Sequence, residues 1–173
     1  MIAATEALAR LGEVVAVSSA WRTAPVGGPA GQPAYRNAVA LWRPAAPWRR
    51  PDAALAAMLA VERALGRERR ERWGPRRIDL DLLAWDPSGV VDGPGAGRGR
   101  ARVPWPELPH PRAADRAFVL RPWAEVAPGW IHPDLDRSLT DLAASTGMAG
   151  VEPLDGAEAR RWATAFGALR GPW

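Results

Sequence analysis

The chain has 173 residues, 47% of them hydrophobic, a size and composition that favour one domain with a packed core. It has no cysteine, which excludes a disulfide framework and a thiolate metal site, and no run of 18 apolar residues, so no membrane span is expected. Net charge is +4 and the pI about 11.0, but all 23 basic residues are arginine and the 19 acidic ones are mixed among them, so the pI reflects an arginine-rich composition rather than a basic nucleic-acid-binding tail.

Residues 1–6 lack the basic start and apolar centre of a secretory signal. With the absence of cysteine, this fits a cytoplasmic protein. Residues 2–11 read as a short Ala-rich helix stopped by Gly12. Residues 13–21 read as a strand, 22–34 as a Pro/Gly-rich loop and 36–43 as a second strand, antiparallel to the first. Pro51 suits the first position of a helix, with Asp52 near its positive end. Apolar residues at three- and four-residue spacing carry that helix to Gly66.

A knot of arginines follows, then a strand expected over 78–83. Residues 86–107 are rich in Gly, Pro and Arg and read as an exposed connection. Residues 118–123 are apolar and suit a short helix or an extended segment. Residues 137–145 and about 155–169 read as helices. The order predicts an α+β sandwich, an antiparallel sheet covered by helices. The domain is expected over 1–146, with 147–173 a C-terminal tail, helical in part.

The run Arg72-Trp73-Gly74-Pro75-Arg76-Arg77-Ile78-Asp79-Leu80-Asp81-Leu82-Leu83 carries the most chemistry. On a strand, alternate residues share a face, so Asp79 and Asp81 project together, roughly 6.5–7 Å apart at the backbone. Ile78, Leu80 and Leu82 then fill the opposite face. Two neighbouring carboxylates repel unless cations sit between them. Hard divalent ions take one or two carboxylates plus substrate phosphates, and arginine forks suit the phosphates. The segment reads as a metal-and-polyphosphate site.

This run also resembles the signature of the 6-hydroxymethyl-7,8-dihydropterin pyrophosphokinases of folate biosynthesis. That pattern is a basic residue, any residue, Gly, Pro, Arg, two residues, then Asp-aliphatic-Asp and two aliphatics, and every position is met. The resemblance extends to residues 17–27, with Arg22-Thr23-Ala24-Pro25 at their centre, and to Gln32-Pro33-Ala34-Tyr35-Arg36-Asn37. Glu62 and Leu65-Gly66-Arg67, Leu108-Pro109-His110-Pro111, and residues 116–122 also match, so it covers about residues 2–145.

The resemblance implies a ferredoxin-like α/β sandwich and transfer of the β,γ-pyrophosphoryl group of ATP to the pterin hydroxymethyl group, releasing AMP. It implies two Mg²⁺ ions on Asp79 and Asp81, with Arg67 and Arg76 engaging the phosphates as catalytic residues. Glu62, Arg69, Arg76, Leu82, His110 and Arg116 fall at nucleotide-site positions. Trp73 and Phe118 match aromatic walls of the pterin slot, Asn37 its hydrogen-bonding edge, and Thr23, Ala24, Val26 and Tyr35 its lining. A monomer acting on these two small molecules is expected, without nucleic-acid or membrane partners.

Family members begin with an apolar strand and a Gly-Ser-Asn-Leu-Gly-like turn before the first helix; here the helix comes first. The resemblance therefore implies that a first strand is missing and that the natural chain starts upstream of Met1. Two other readings compete. One is an inactive paralogue of the same fold. The other is an arginine-rich nucleic-acid-binding module resting on 63–77 and 98–102, which leaves the aspartate pair unexplained.

Overall fold

The computed structural model describes residues 1–24, 33–67, 78–86 and 103–167. The first helix, α1 (Ile2–Ala9), buries Ala4 and Leu8 and ends before Gly12. Gly12 belongs instead to the first strand, β1 (Gly12–Val17), at its closest approach to β4 (Ala40–Pro44). A Cβ there would lie 2.4 Å from the Arg43 carbonyl oxygen, so only glycine fits. The intervening strands β2 (Trp21–Thr23) and β3 (Tyr35–Asn37) complete a long antiparallel hairpin.

The sequence predicts two continuous strands here, and each is interrupted. β1 pairs β4 with Gly12 opposite Pro44 and a bulge at Val14/Ala16, while β2 pairs β3 with Trp21 opposite Asn37. Between the ladders, side chains take over part of the hydrogen bonding. The Ser18 amide donates to the Val39 carbonyl, and the Val39 amide donates to Ser18 Oγ, both at 2.9 Å. The Ser19 amide donates to a carboxylate of a distant helix.

Helix α2 (Pro51–Ala64) starts with proline at its first position and Asp52 in its first turn, as predicted. It buries Ala54, Ala57, Met58, Val61 and Glu62 at three- and four-residue spacing. The chain turns away at Gly66, whose φ of +79° is the left-handed conformation that glycine tolerates best.

The strand expected at 78–83 is not formed. Among the described residues no strand lies alongside it, and an extended run becomes a strand only through a ladder. Two of its backbone groups find partners elsewhere. The Leu80 amide donates to the Glu62 carboxylate at 2.7 Å, and the Leu83 carbonyl accepts from the His110 amide at 2.8 Å. The expected alternation is kept: Asp79 and Asp81 are exposed, while Ile78, Leu80 and Leu82 are half-buried.

A two-residue ladder, β5 (Val103–Pro104) with β6 (Glu107–Leu108), lies within the Pro-rich connection. Helix α3 (Ala117–Val126) follows. Strands β7 (Ile131–His132) and β8 (Arg137–Ser138) pair and lead into α4 (Leu139–Ser145), capped by Ser138 Oγ accepting from the Asp141 amide. Then come β9 (Val151–Pro153) and α5 (Gly156–Phe166). The class is α+β with antiparallel pairing throughout. No helix among the described residues is long and apolar enough to cross a membrane.

Two apolar cores flank the hairpin. One is built on Leu120, Trp123, Leu139 and Ala16, and the other on Leu8, Val17, Met58, Trp162 and Phe166. Around β4 the side chains alternate between them: Val39 and Leu41 reach the first, Ala38, Ala40 and Trp42 the second. Residues 80–84 straddle the same cores, with Leu83 and Ala84 on the first and Leu80 and Leu82 on the second. That double anchorage leaves the aspartates outward.

The C-terminal segment is woven into this frame. β9 pairs β2 with Val151 opposite Thr23, the Leu154 amide donates to the Ala20 carbonyl, and Trp162 Nε1 donates to the Ser18 carbonyl at 2.8 Å. Trp162 and Phe166 stack edge-on, their centroids 4.6 Å apart. Replacing Trp162 by Phe keeps an aromatic ring but leaves the buried Ser18 carbonyl without that donor. The expected cost is about 1–3 kcal/mol. It should appear as a lower urea midpoint with an unchanged slope; an unchanged midpoint would show that the bond adds nothing.

Candidate active site

Two stretches of chain converge on residues 78–83, which carry the aspartate pair: the end of α2 and residues 110–118. α2 supplies Glu62 in its last turn, with Arg67 just beyond the Gly66 turn. Glu62 is 1% exposed, and a carboxylate so deeply placed needs donors. Its Oε1 accepts from Arg67 Nη1 and from the Leu80 amide. The Leu80 amide lies between the two aspartates in sequence, so Glu62 pins the backbone that displays them.

Arg67 reaches outward from the same point. Its side chain is 14% exposed, and its Nη1 lies 2.8 Å from Asp79 Oδ1. The Asp79 side chain is 39% exposed. A guanidinium donates through several N–H groups in a fixed fork, so Arg67 can serve the buried Glu62 and the open Asp79 together. The site therefore grades from a buried carboxylate through a cation to an open carboxylate.

Arg116 sits at the N-cap of α3, its guanidinium carbon 5.6 Å from the centroid of the Phe118 ring. Burial and, next, the nearby Arg112 charge push its pKa below the usual arginine value, while Asp81, Asp79 and Asp115 act in the opposite direction. It remains a cation at neutral pH. His110 is held by its backbone bond to Leu83, and its Nδ1 accepts from the Arg112 amide at 3.2 Å. In the neutral ring that leaves Nε2–H as the donor side.

The residues matched to a pterin slot lie on the hairpin and α3. Asn37 Nδ2 donates to Thr23 Oγ1 at 2.8 Å, across the register that sets Thr23 opposite Tyr35. Thr23 is buried and Tyr35 half-buried. Ala24 is exposed and spends its amide on the Gly150 carbonyl at 2.9 Å. Phe118 packs on the edge of the first core. Leu82 packs against the second, so its side chain supports the segment. Val26, Arg69, Trp73 and Arg76 lie outside the described residues.

Sequence reasoning missed Arg112 and Asp115, which act on Arg116, and Glu125, whose carboxylate binds the Ser19 amide and Trp21 Nε1. A signal for Glu125 was present. It stands seven residues, two helical turns, after Phe118, so a charged residue shares the face of an apolar one.

Among the described residues, no group of three His, Cys, Asp or Glu side chains is gathered as a metal cage. Asp79 and Asp81 offer two open carboxylates. That donor set fits a hard cation that keeps water and phosphate oxygens as its other ligands, as Mg²⁺ does, rather than one needing an all-protein cage.

Comparisons with known proteins bear on the same residues. A family described as 7,8-dihydro-6-hydroxymethylpterin-pyrophosphokinase (HPPK) matches residues 1–128. The chain is 39% identical over 158 residues to a Pseudomonas aeruginosa protein named 2-amino-4-hydroxy-6-hydroxymethyldihydropteridine pyrophosphokinase, covering 90% of this chain and 87% of that protein. A Synechocystis protein of the same name is 34% identical over 142 residues, 82% of this chain but 65% of its own length. One from Mycobacterium tuberculosis is 46% identical over 67 residues, 39% of this chain and 35% of that protein. With the family match spanning the hairpin, the aspartate pair and all of α3, the chain belongs to the 7,8-dihydro-6-hydroxymethylpterin-pyrophosphokinase family.

Proposed function

We propose that this chain transfers the β,γ-pyrophosphoryl group of ATP to 6-hydroxymethyl-7,8-dihydropterin in folate biosynthesis, acting as a monomer in the cytoplasm. The pterin hydroxyl oxygen attacks the β-phosphorus, the bond from that phosphorus to the α,β-bridging oxygen breaks, and AMP leaves. The hydroxyl proton passes to solvent. The observation that carries the reading is the open pair Asp79 and Asp81, with Arg67 in contact and Arg116 electrostatically coupled to both.

Asp79 and Asp81 would hold two Mg²⁺ ions, which when bound supply charge neutralisation at the phosphates. The protein's own work is positioning and electrostatics, because phosphoryl-type transfer leaves it little covalent chemistry. Arg67, already fixed through Glu62, exchanges its contact with Asp79 for phosphate oxygens. Arg76 and Arg69 add donors to the polyphosphate. Arg116, His110 and the chain around Glu62 and Leu82 line the nucleotide side. Asn37 and Thr23, with Tyr35 and the backbone of Ala24 and Val26, bind the pterin edge. Trp73 and Phe118 stack on its faces.

Consumption of ATP by the full chain should depend on added 6-hydroxymethyl-7,8-dihydropterin. It should stop with EDTA and return with excess Mg²⁺. Equal consumption with and without the pterin would contradict the proposal.

A further inference from the structure

Glu125 sits outside the phosphate and aspartate contacts, yet it joins the two parts of the molecule that carry the pterin-slot residues. It belongs to α3, the helix that begins at Ala117 and carries Phe118 in its first turn. Its two oxygens are used separately. Oε2 accepts from the Ser19 amide at 2.6 Å, and Oε1 accepts from Trp21 Nε1 at 2.7 Å. Ser19 lies in the gap between β1 and β2, where the ladder is interrupted. Trp21 opens β2, pairs with Asn37 of β3, and stands two residues before Thr23.

Two hydrogen bonds, Asn37 to Thr23 and Trp21 to Glu125, therefore link β3 to α3 through the backbone of β2, and the helix carries the connection on to Phe118. The helical span from Glu125 back to Phe118 is about 10 Å, rigid on the scale of a side chain. A carboxylate accepting two fixed donors through separate oxygens sets orientation as well as distance, and such charge-assisted bonds are stronger than neutral ones. Both donors are neutral groups, so the carboxylate does more than balance a charge.

We infer that Glu125 is a positioning residue that fixes the hairpin carrying Thr23 and Asn37 relative to the helix carrying Phe118, and so sets the width of the pterin slot. The inference rests on the proposed pterin activity and names how that site is held. Glu125 has no direct part in the reaction. Its effect should fall more on the pterin than on ATP, because the aspartate pair is anchored separately through Glu62 and the Leu80 amide, and of the described nucleotide-side residues only Arg116 rides on α3.

The test is steady-state kinetics on the full chain with Glu125→Gln, Trp21→Phe and the double variant. Glutamine has one acceptor oxygen and sets its NH₂ group against the second donor; Trp21→Phe removes one donor and keeps an aromatic ring. Each single variant should lower kcat/KM for the pterin by about 10–100-fold, mainly through KM, with the KM for ATP within about twofold. The double variant should lose less than the product of the singles, since both remove the same bond. Amide resonances of Thr23, Asn37 and Phe118 read the clamp without substrate and should all move in Glu125→Gln.

Pterin and ATP constants rising in parallel with a lowered Tm would reduce Glu125 to a structural role and overturn the inference. So would a Glu125→Gln protein with unchanged pterin KM, or one in which Phe118 keeps its resonance while Thr23 and Asn37 move. The wild-type control separates this from failure of the parent reading. A wild-type chain that makes no AMP defeats the proposed activity, and a slot-setting role falls with it even if the resonances move together. A wild-type chain that makes AMP, with indifferent variants, defeats the positioning role alone.

Discussion

Asp79→Ala and Asp81→Ala should each lower kcat by about a thousandfold or more, because the metal ions they would hold supply several kcal/mol of charge stabilisation at the phosphates. Both side chains are exposed, so the loss should come without unfolding. The far-UV circular dichroism should be unchanged and Tm should move little, since an exposed charge contributes little to stability. The two variants should differ in one respect. Asp79 contacts Arg67, so its removal takes one partner from a guanidinium that is 14% exposed, although Glu62 remains to hold it. Asp81 forms no ion pair with another described residue, and Asp81→Ala is the cleaner probe of metal binding. Turnover retained in both variants would reject the metal assignment.

Glu62→Ala should give the largest loss of stability among the site residues. The carboxylate is 1% exposed and serves both Arg67 and the Leu80 amide. Its removal leaves a nearly buried cation with Asp79 as its remaining counterion among the described residues, and a backbone donor without its acceptor. Breaking one side of a buried pair costs about 3–5 kcal/mol. At this chain length each kcal/mol is worth about 2–4 °C, so Tm should fall by about 10 °C. Activity should fall too, because the segment that displays Asp79 and Asp81 loses its tether to α2. Glu62→Gln keeps an acceptor for Leu80 but loses the charge opposite Arg67, and should fall between wild type and alanine. A Glu62→Ala protein with wild-type Tm would show that the buried contacts carry no net stability.

The aspartate pair was legible in the sequence because its chemistry is local. Two carboxylates at a spacing of two, with leucines between and after them, dictate one open face and one buried face on any extended backbone. The structure keeps that division even without a ladder. Helix α2 was legible for the same reason, from Pro51 at its start and the apolar spacing that follows. What could not be read depends on distant partners. The resemblance singles out Glu62 as a nucleotide-site position, but nothing local says that it is buried; its carboxylate is covered where the chain at Leu80 returns across α2. The break in the first strand comes from Ser18 Oγ and the Glu125 carboxylate, 106 residues from Ser19, competing for backbone groups.

The segment 118–123 read as either helix or extended because Pro122 lies inside it, and proline disfavours a helix interior. Burial of Val119, Leu120, Trp123 and Val126 in the core stabilises the helix against that cost. Strand β9 left almost no trace in sequence, being three residues long with a proline at its end. It exists because β2 offers an edge and Gly150, at φ +70°, turns the chain onto it. Trp162 likewise is one tryptophan among ten in the sequence, and only α5 brings it over Ser18.

The central claim is pyrophosphoryl rather than phosphoryl transfer at the site of Asp79 and Asp81. It is tested most directly by ³¹P NMR of the products formed from ATP, Mg²⁺ and 6-hydroxymethyl-7,8-dihydropterin. The account predicts AMP together with a pterin diphosphate in equal amounts. ADP with a pterin monophosphate would contradict it.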